Sequence, residues 1–196
     1  MKKRLIMLLV GWWAFSGCVV GSIHPFYTPE RVLEKPELYG RWDFDESAKP
    51  QPNSQMILSA GKVTIFDETG KPLDAKITFF HVEDSLFADI YPDKGELKAE
   101  LVGDLTPVHL LALIKPDGDR IKFYELDYTW LSKEVESKRI KIRYTKAGAF
   151  TDLLFTPEST DWIEFLKTYR NDPKAFPAES EGLLIRKPEF LQSKPE

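Results

Sequence analysis

Three histidines, a few carboxylates and one thiol are the side chains here whose types could do chemistry. The histidines are His24, His81 and His109. None stands in a His-x-x-x-His pair or beside a glutamate at zinc spacing. His81 and His109 fall on stretches that read as strands, where they could meet across a sheet with Glu83 or Asp104 nearby. The spacing argues instead for ordinary strand histidines hydrogen-bonded to neighbours. Glu125, Asp127 and Asp89 are the carboxylates placed to face a sheet interior. Such a pair does acid–base work only when burial drives its pKa values apart; on the solvent side of a pleat it does none. The sequence holds no Gly-x-Ser-x-Gly elbow and no glycine-rich phosphate loop. The reading is therefore a non-enzyme with no catalytic residue, no metal and no cofactor.

The remaining reactive atom is the sulfur of Cys18, the only cysteine. A basic start, Met1-Lys2-Lys3-Arg4, precedes an apolar run from Leu5 to Phe15 and two small residues, Ser16-Gly17. The run is shorter than the ~20 residues that a membrane-spanning helix needs. Positive charge, short apolar core and small residues make up the grammar of a secretory leader. The segment resembles a bacterial lipoprotein signal with its lipobox, in which Phe15 fills the apolar place three residues before the cysteine. The resemblance implies removal of residues 1–17 and a diacylglycerol with an N-acyl group on Cys18. Two or more chains make attachment stable where one is marginal. It also implies a bacterial cell envelope location. Val19, where an aspartate would retain such a protein in the inner membrane, points to the periplasmic side of the outer membrane.

Composition narrows the partners. The leader carries three of the 27 basic residues and none of the 31 acidic ones, which leaves 24 against 31, a formal charge of −7. That balance argues against nucleic acid, which requires clustered Lys and Arg, and against a polybasic contact with anionic lipid. With Cys18 acylated no thiol remains for a disulfide. Burial must hold the fold together, and aromatics at 13% supply the surface for it.

The order of elements follows from periodicity and turn residues. Residues 18–37 read as a lipidated tether, rich in Gly and Pro, with a domain over 38–187 and a loose polar tail over 188–196. Short alternating runs are expected as strands at 42–45, 55–59, 62–66, 76–82, 86–91, 108–115, 120–127, 140–144 and 150–156. Pro116-Asp117-Gly118-Asp119 and Glu83-Asp84-Ser85 mark hairpins, since Asp and Gly tolerate the positive φ of tight turns. Asp127 is placed to cap a helix from Tyr128 to about Lys138. Thr156-Pro157-Glu158 opens a second, in which Trp162, Phe165, Leu166 and Tyr169 form one apolar stripe. The expected fold is mainly β: an up-and-down antiparallel barrel of about eight strands with one or two helices packed on it.

Leu38-Tyr39-Gly40-Arg41-Trp42 is similar to the Gly-x-Trp start of lipocalins and other calycin barrels. The resemblance implies that Trp42 closes the barrel floor and meets an arginine from the last strand, with Arg143 and Arg186 as candidates. Ser22-Ile23-His24-Pro25-Phe26-Tyr27-Thr28, the Gly-x-Trp stretch, and Leu86 to Pro92 together resemble a group of uncharacterised bacterial lipoproteins. That group implies an envelope protein and no catalytic residues. Two roles follow. In one, a lipocalin-like barrel binds a small apolar ligand against Trp42, Phe79, Phe87, Phe123 and Tyr144. In the other, a solid barrel serves a non-enzymatic interaction or assembly role with another envelope protein, met through loops or through His24 to Tyr27. A cavity against a filled interior separates them.

Overall fold

The computed structural model describes residues 19–45, 55–66, 70–92, 108–146 and 153–188. Among them are twelve strands: β1 (Gly21–Ser22), β2 (Val32–Leu33), β3 (Gly40–Phe44), β4 (Gln55–Ser59), β5 (Lys62–Phe66), β6 (Pro72–Val82), β7 (Ser85–Pro92), β8 (His109–Asp117), β9 (Arg120–Glu125), β10 (Tyr144–Lys146), β11 (Leu153–Phe155) and β12 (Glu181–Arg186). Two α-helices, α1 (Tyr128–Glu136) and α2 (Ser159–Tyr169), accompany them. The expected turns are present: Gly118 has φ +57° and Glu83 has φ +54°. Asp127 caps α1 by accepting the Trp130 amide at 2.6 Å.

Eight strands close a barrel. Strands β3 to β9 follow one another in antiparallel pairs, and β12 fits between β9 and β3. Closure removes both sheet edges. β12 has no counterpart among the expected strands, because Leu183-Leu184-Ile185 is too short a run to show alternation. Residues 140–144 and 150–156, expected as barrel strands, instead contribute to β10 and β11, a side ribbon outside the barrel. That ribbon branches from β8, whose His109 and Leu110 pair with β1 while Ala112 to Asp117 pair with β9.

Two cores share one wall. Inside the barrel lie Leu38, Trp42, Leu58, Val63, Ala75, Ile77, Phe79, Ala88, Ala112, Ile121 and Leu184. On the outer face of β6–β8, Phe80, Val82, Phe87, Leu111 and Leu113 pack against α1, α2 and the N-terminal segment. Strands buried on both faces lose the apolar–polar alternation of a half-exposed sheet, as the consecutive Phe79 and Phe80 show.

The segment expected as a tether is instead built into this outer core. Val20, Ser22, Phe26 and Thr28 are buried. β1 pairs with β8 and, in parallel, with β11; β2 pairs with β6. Gly21 lies close to the chain entering β8: a Cβ there would stand 3.0 Å from Cγ2 of Val108, which would have to give way. Cys18 and the tail from 189 lie outside the described residues.

Candidate functional site

A short 3₁₀ turn, Pro36–Leu38, leads into β3 and sets the Leu38 carbonyl beside Trp42. Trp42 points inward, exposes nothing, and donates its indole N–H to the Leu38 carbonyl at 2.9 Å. Arg186, at the end of β12 and in register with Trp42, sets its guanidinium 4.2 Å from the ring centroid. Its Nη1 donates to the Tyr39 carbonyl at 2.9 Å and its Nη2 to the Glu37 carbonyl. A planar guanidinium can stack and fork at once, which an ammonium cannot. Gly40 has φ +132°, and a Cβ there would lie 3.2 Å from Arg186 Nη1. The glycine of Gly-x-Trp is thus required twice over, by conformation and by closeness. Of the two arginines considered, Arg186 closes the floor; Arg143 stays outside, near Glu158 and Asp161.

Around Trp42, Val63 and Ala88 the described interior is closely packed. A side chain with no solvent-accessible surface borders no water-sized void, and Trp42 has none; Val63 and Ala88 retain 1% each. Small residues let large ones in. Phe123 lies across Gly182, where a Cβ would stand 2.0 Å from the ring, and meets Phe44 edge-on at 6.5 Å. Met56, Ile65, Ile90 and Phe123 pack on this core only partly buried. Glu125 pairs with Ala112, which pairs with Ala88, which pairs with Phe79. Residues paired in this way share a face, so the carboxyl belongs to the interior face. Burial pushes its pKa up to about 7.

The five candidate wall residues do not come together. Trp42 and Phe79 are buried in the barrel, and Phe123 packs on the same core. Phe87 faces the other way, stacked on Phe80 at 5.5 Å and near Phe176 at 5.9 Å in the outer core. Tyr144 is on the side ribbon and 37% exposed. Residue type suggested these positions; strand parity decides them.

A polar constellation sits where the N-terminal segment meets β7 and β8. Asp89 is 2% exposed, and its Oδ2 accepts the Phe26 amide at 2.9 Å while Oδ1 bonds His109 Nδ1 at 2.8 Å. The His109 ring lies 4.5 Å from the Tyr91 ring. Across the β1–β8 pair, Ser22 stands opposite His109 and accepts Trp162 Nε1–H at 2.9 Å and the His24 amide at 3.2 Å. The Phe26 ring packs on Trp162 at 4.5 Å. Asp89 and His109 resemble half of a catalytic triad, but the hydroxyl beside them is engaged by Trp162 and buried. The arrangement latches the Ser22–Phe26 stretch onto the fold.

The other carboxylate and histidine expectations resolve differently. His81 pairs with Leu86, which packs on the barrel core, whereas His109 shares a face with Leu111 and Leu113 in the outer core. The two histidines lie on opposite sides of the sheet and do not meet. Asp127 is a helix cap, Asp89 is in the latch, and Glu125 is on the barrel side. Among the described residues no three of His, Asp and Glu gather as a metal site. The latch was findable only through long-range pairing, since 63 residues separate Phe26 from Asp89. Compared with known protein families, curated proteins and solved structures, the chain matches none. The fold itself is a closed eight-stranded antiparallel barrel, consistent with a calycin-like architecture.

Proposed function

We propose that this chain is a non-enzymatic envelope lipoprotein, held through Cys18 at the periplasmic face of the outer membrane, whose barrel is a solid scaffold acting by contact with another macromolecule. The close packing around Trp42, Val63 and Ala88 supports the reading. A barrel of eight strands either packs its own side chains or encloses one small molecule, and the described interior side chains favour packing. The working surface is then the outside, including a groove of about 270 Å³ between the 139–142 segment and α2.

Ala88→Leu tests the solid barrel. In a packed core the added carbons destabilise by about 1–3 kcal/mol, read as a lower denaturant midpoint. Unchanged stability would reveal spare room and defeat the solid-barrel reading. A second reading, a small apolar ligand at the partly buried Met56, Ile65, Ile90 and Phe123, has those four side chains in its favour. Native mass spectrometry of the gently extracted protein separates the two, since a retained small molecule would favour the ligand. Cys18→Ser tests the anchor: labelled palmitate should enter the parent chain and not the variant.

A further inference from the structure

Resting on the lipid anchorage proposed above, we infer that the exposed cationic run from Lys138 to Lys146, which ends as the outer strand of the side ribbon, is the surface this protein turns toward an anionic lipid bilayer.

The charge pattern points there. Taken whole, the acidic balance beyond the leader argues against a polybasic contact with lipid, yet locally Ser137 to Lys146 holds five cations and no carboxylate. Lys138, Arg139, Lys141, Arg143 and Lys146 are all exposed, while Ile140 and Ile142 between them are buried and fix the segment to the body. Arg139 is tied to Glu134, and Arg143 lies 3.5 Å from Asp161 and 3.8 Å from Glu158. Lys138, Lys141 and Lys146 form no ion pair with a described residue, so their charge is free to act outward.

The topology brings the last residue of this run to the anchor. β1 pairs in parallel with β11, and β11 pairs antiparallel with β10. Lys146 therefore lies at the end of the ribbon where Val20 comes in. Two strand spacings put β10 roughly 10 Å across from β1. Only Val19 separates Cys18 from the buried Val20. A protein held on so short a leash cannot present an arbitrary face, and an acyl group on Cys18 holds this ribbon near the headgroups. Tyr144 and Ile23, 37% and 39% exposed, lie a few residues along from that end, past Phe155, and suit an interface that is apolar on one side and wet on the other. Each lysine near an anionic leaflet raises partition roughly fivefold, an effect screened by salt.

The test uses the processed chain purified from its membrane and reconstituted into phosphatidylcholine vesicles with or without phosphatidylglycerol. Because Cys18 is the only natural cysteine, a fluorophore placed by Thr145→Cys or Asp119→Cys marks one site. Asp119 follows the far end of β8, roughly 25–30 Å along that strand from the residues that pair with β1. Lipid-borne quencher should dim position 145 several times more than position 119. That contrast should grow with phosphatidylglycerol, shrink with salt, and lose its lipid dependence in the Lys138→Gln/Lys141→Gln/Lys146→Gln variant, whose melting is unchanged. Equal quenching at both positions, or a contrast indifferent to the three lysines, would overturn the inference while leaving the anchor intact. Vesicle flotation reads the anchor separately: a chain that does not float fails the anchorage, and this inference with it.

Discussion

The guanidinium of Arg186 covers the indole of Trp42 at 4.2 Å, joining the last strand of the barrel to the first. This one contact combines a cation–π interaction with hydrogen bonds to the carbonyls of Glu37 and Tyr39. Arg186→Leu should lower stability by about 2–3 kcal/mol, since it strands two carbonyls beside a buried ring. Arg186→Lys should recover less than half, because an ammonium cannot stack and fork together. Urea titrations of the three proteins give the ranking; a lysine variant equal to the parent would refute it.

Asp89 is the second expected weak point. Truncation to Ala leaves the Phe26 amide and His109 Nδ1 without their acceptor in a buried place. The cost should be about 3 kcal/mol. Its local signature is faster hydrogen exchange over residues 20–28 than over the barrel strands. Uniform loss of protection throughout the molecule would show that the latch is no separate unit.

Glu125 makes stability depend on pH. Its carboxyl titrates at about 7 when folded, raised by burial from the 4.5 of an exposed glutamate. The contribution is fully present below the unfolded value and is lost as pH rises through the folded one. From about pH 5 to about pH 8 the parent should lose up to about 3 kcal/mol that Glu125→Gln does not lose. Melting both proteins across that range checks the difference. Parallel curves would show that the carboxyl is not desolvated.

Gly182 lets Phe123 lie flat across its strand, and a methyl there would meet the ring at 2.0 Å. Gly182→Ala should therefore destabilise by about 1–3 kcal/mol. Phe123→Leu in the same chain should return part of that loss, because the clash is with the ring alone. A double-mutant cycle measures the coupling, and strictly additive losses would exclude the contact as the cause.

Much of this architecture could be read from local signals. Asp117-Gly118, Glu83-Asp84, Asp127 and the stripe Trp162, Phe165, Leu166 act over a few residues, and each behaves as expected. What escaped depends on partners far away in the chain. Phe79 and Phe80 read alike, and only the presence of α1 and α2 on the other side of the sheet separates their environments. Phe87 went to the wrong core for that reason. The Ser22–Phe26 stretch looked loose because its holders, Asp89, His109 and Trp162, are distant in sequence. Arg186 could be named only as one of two candidates, since β12 carries too few apolar residues to announce itself.

The adjacency of β3 and β12 also constrains how the chain can acquire its shape. A ring whose seam joins residue 42 to residue 186 has no stable half. Until Glu181–Arg186 is free to dock, β3 and β9 each offer a bare row of amides and carbonyls. Such a chain cannot close its barrel until residues 181–186 have been made. Fragments ending before residue 181 should be insoluble rather than smaller versions of the whole.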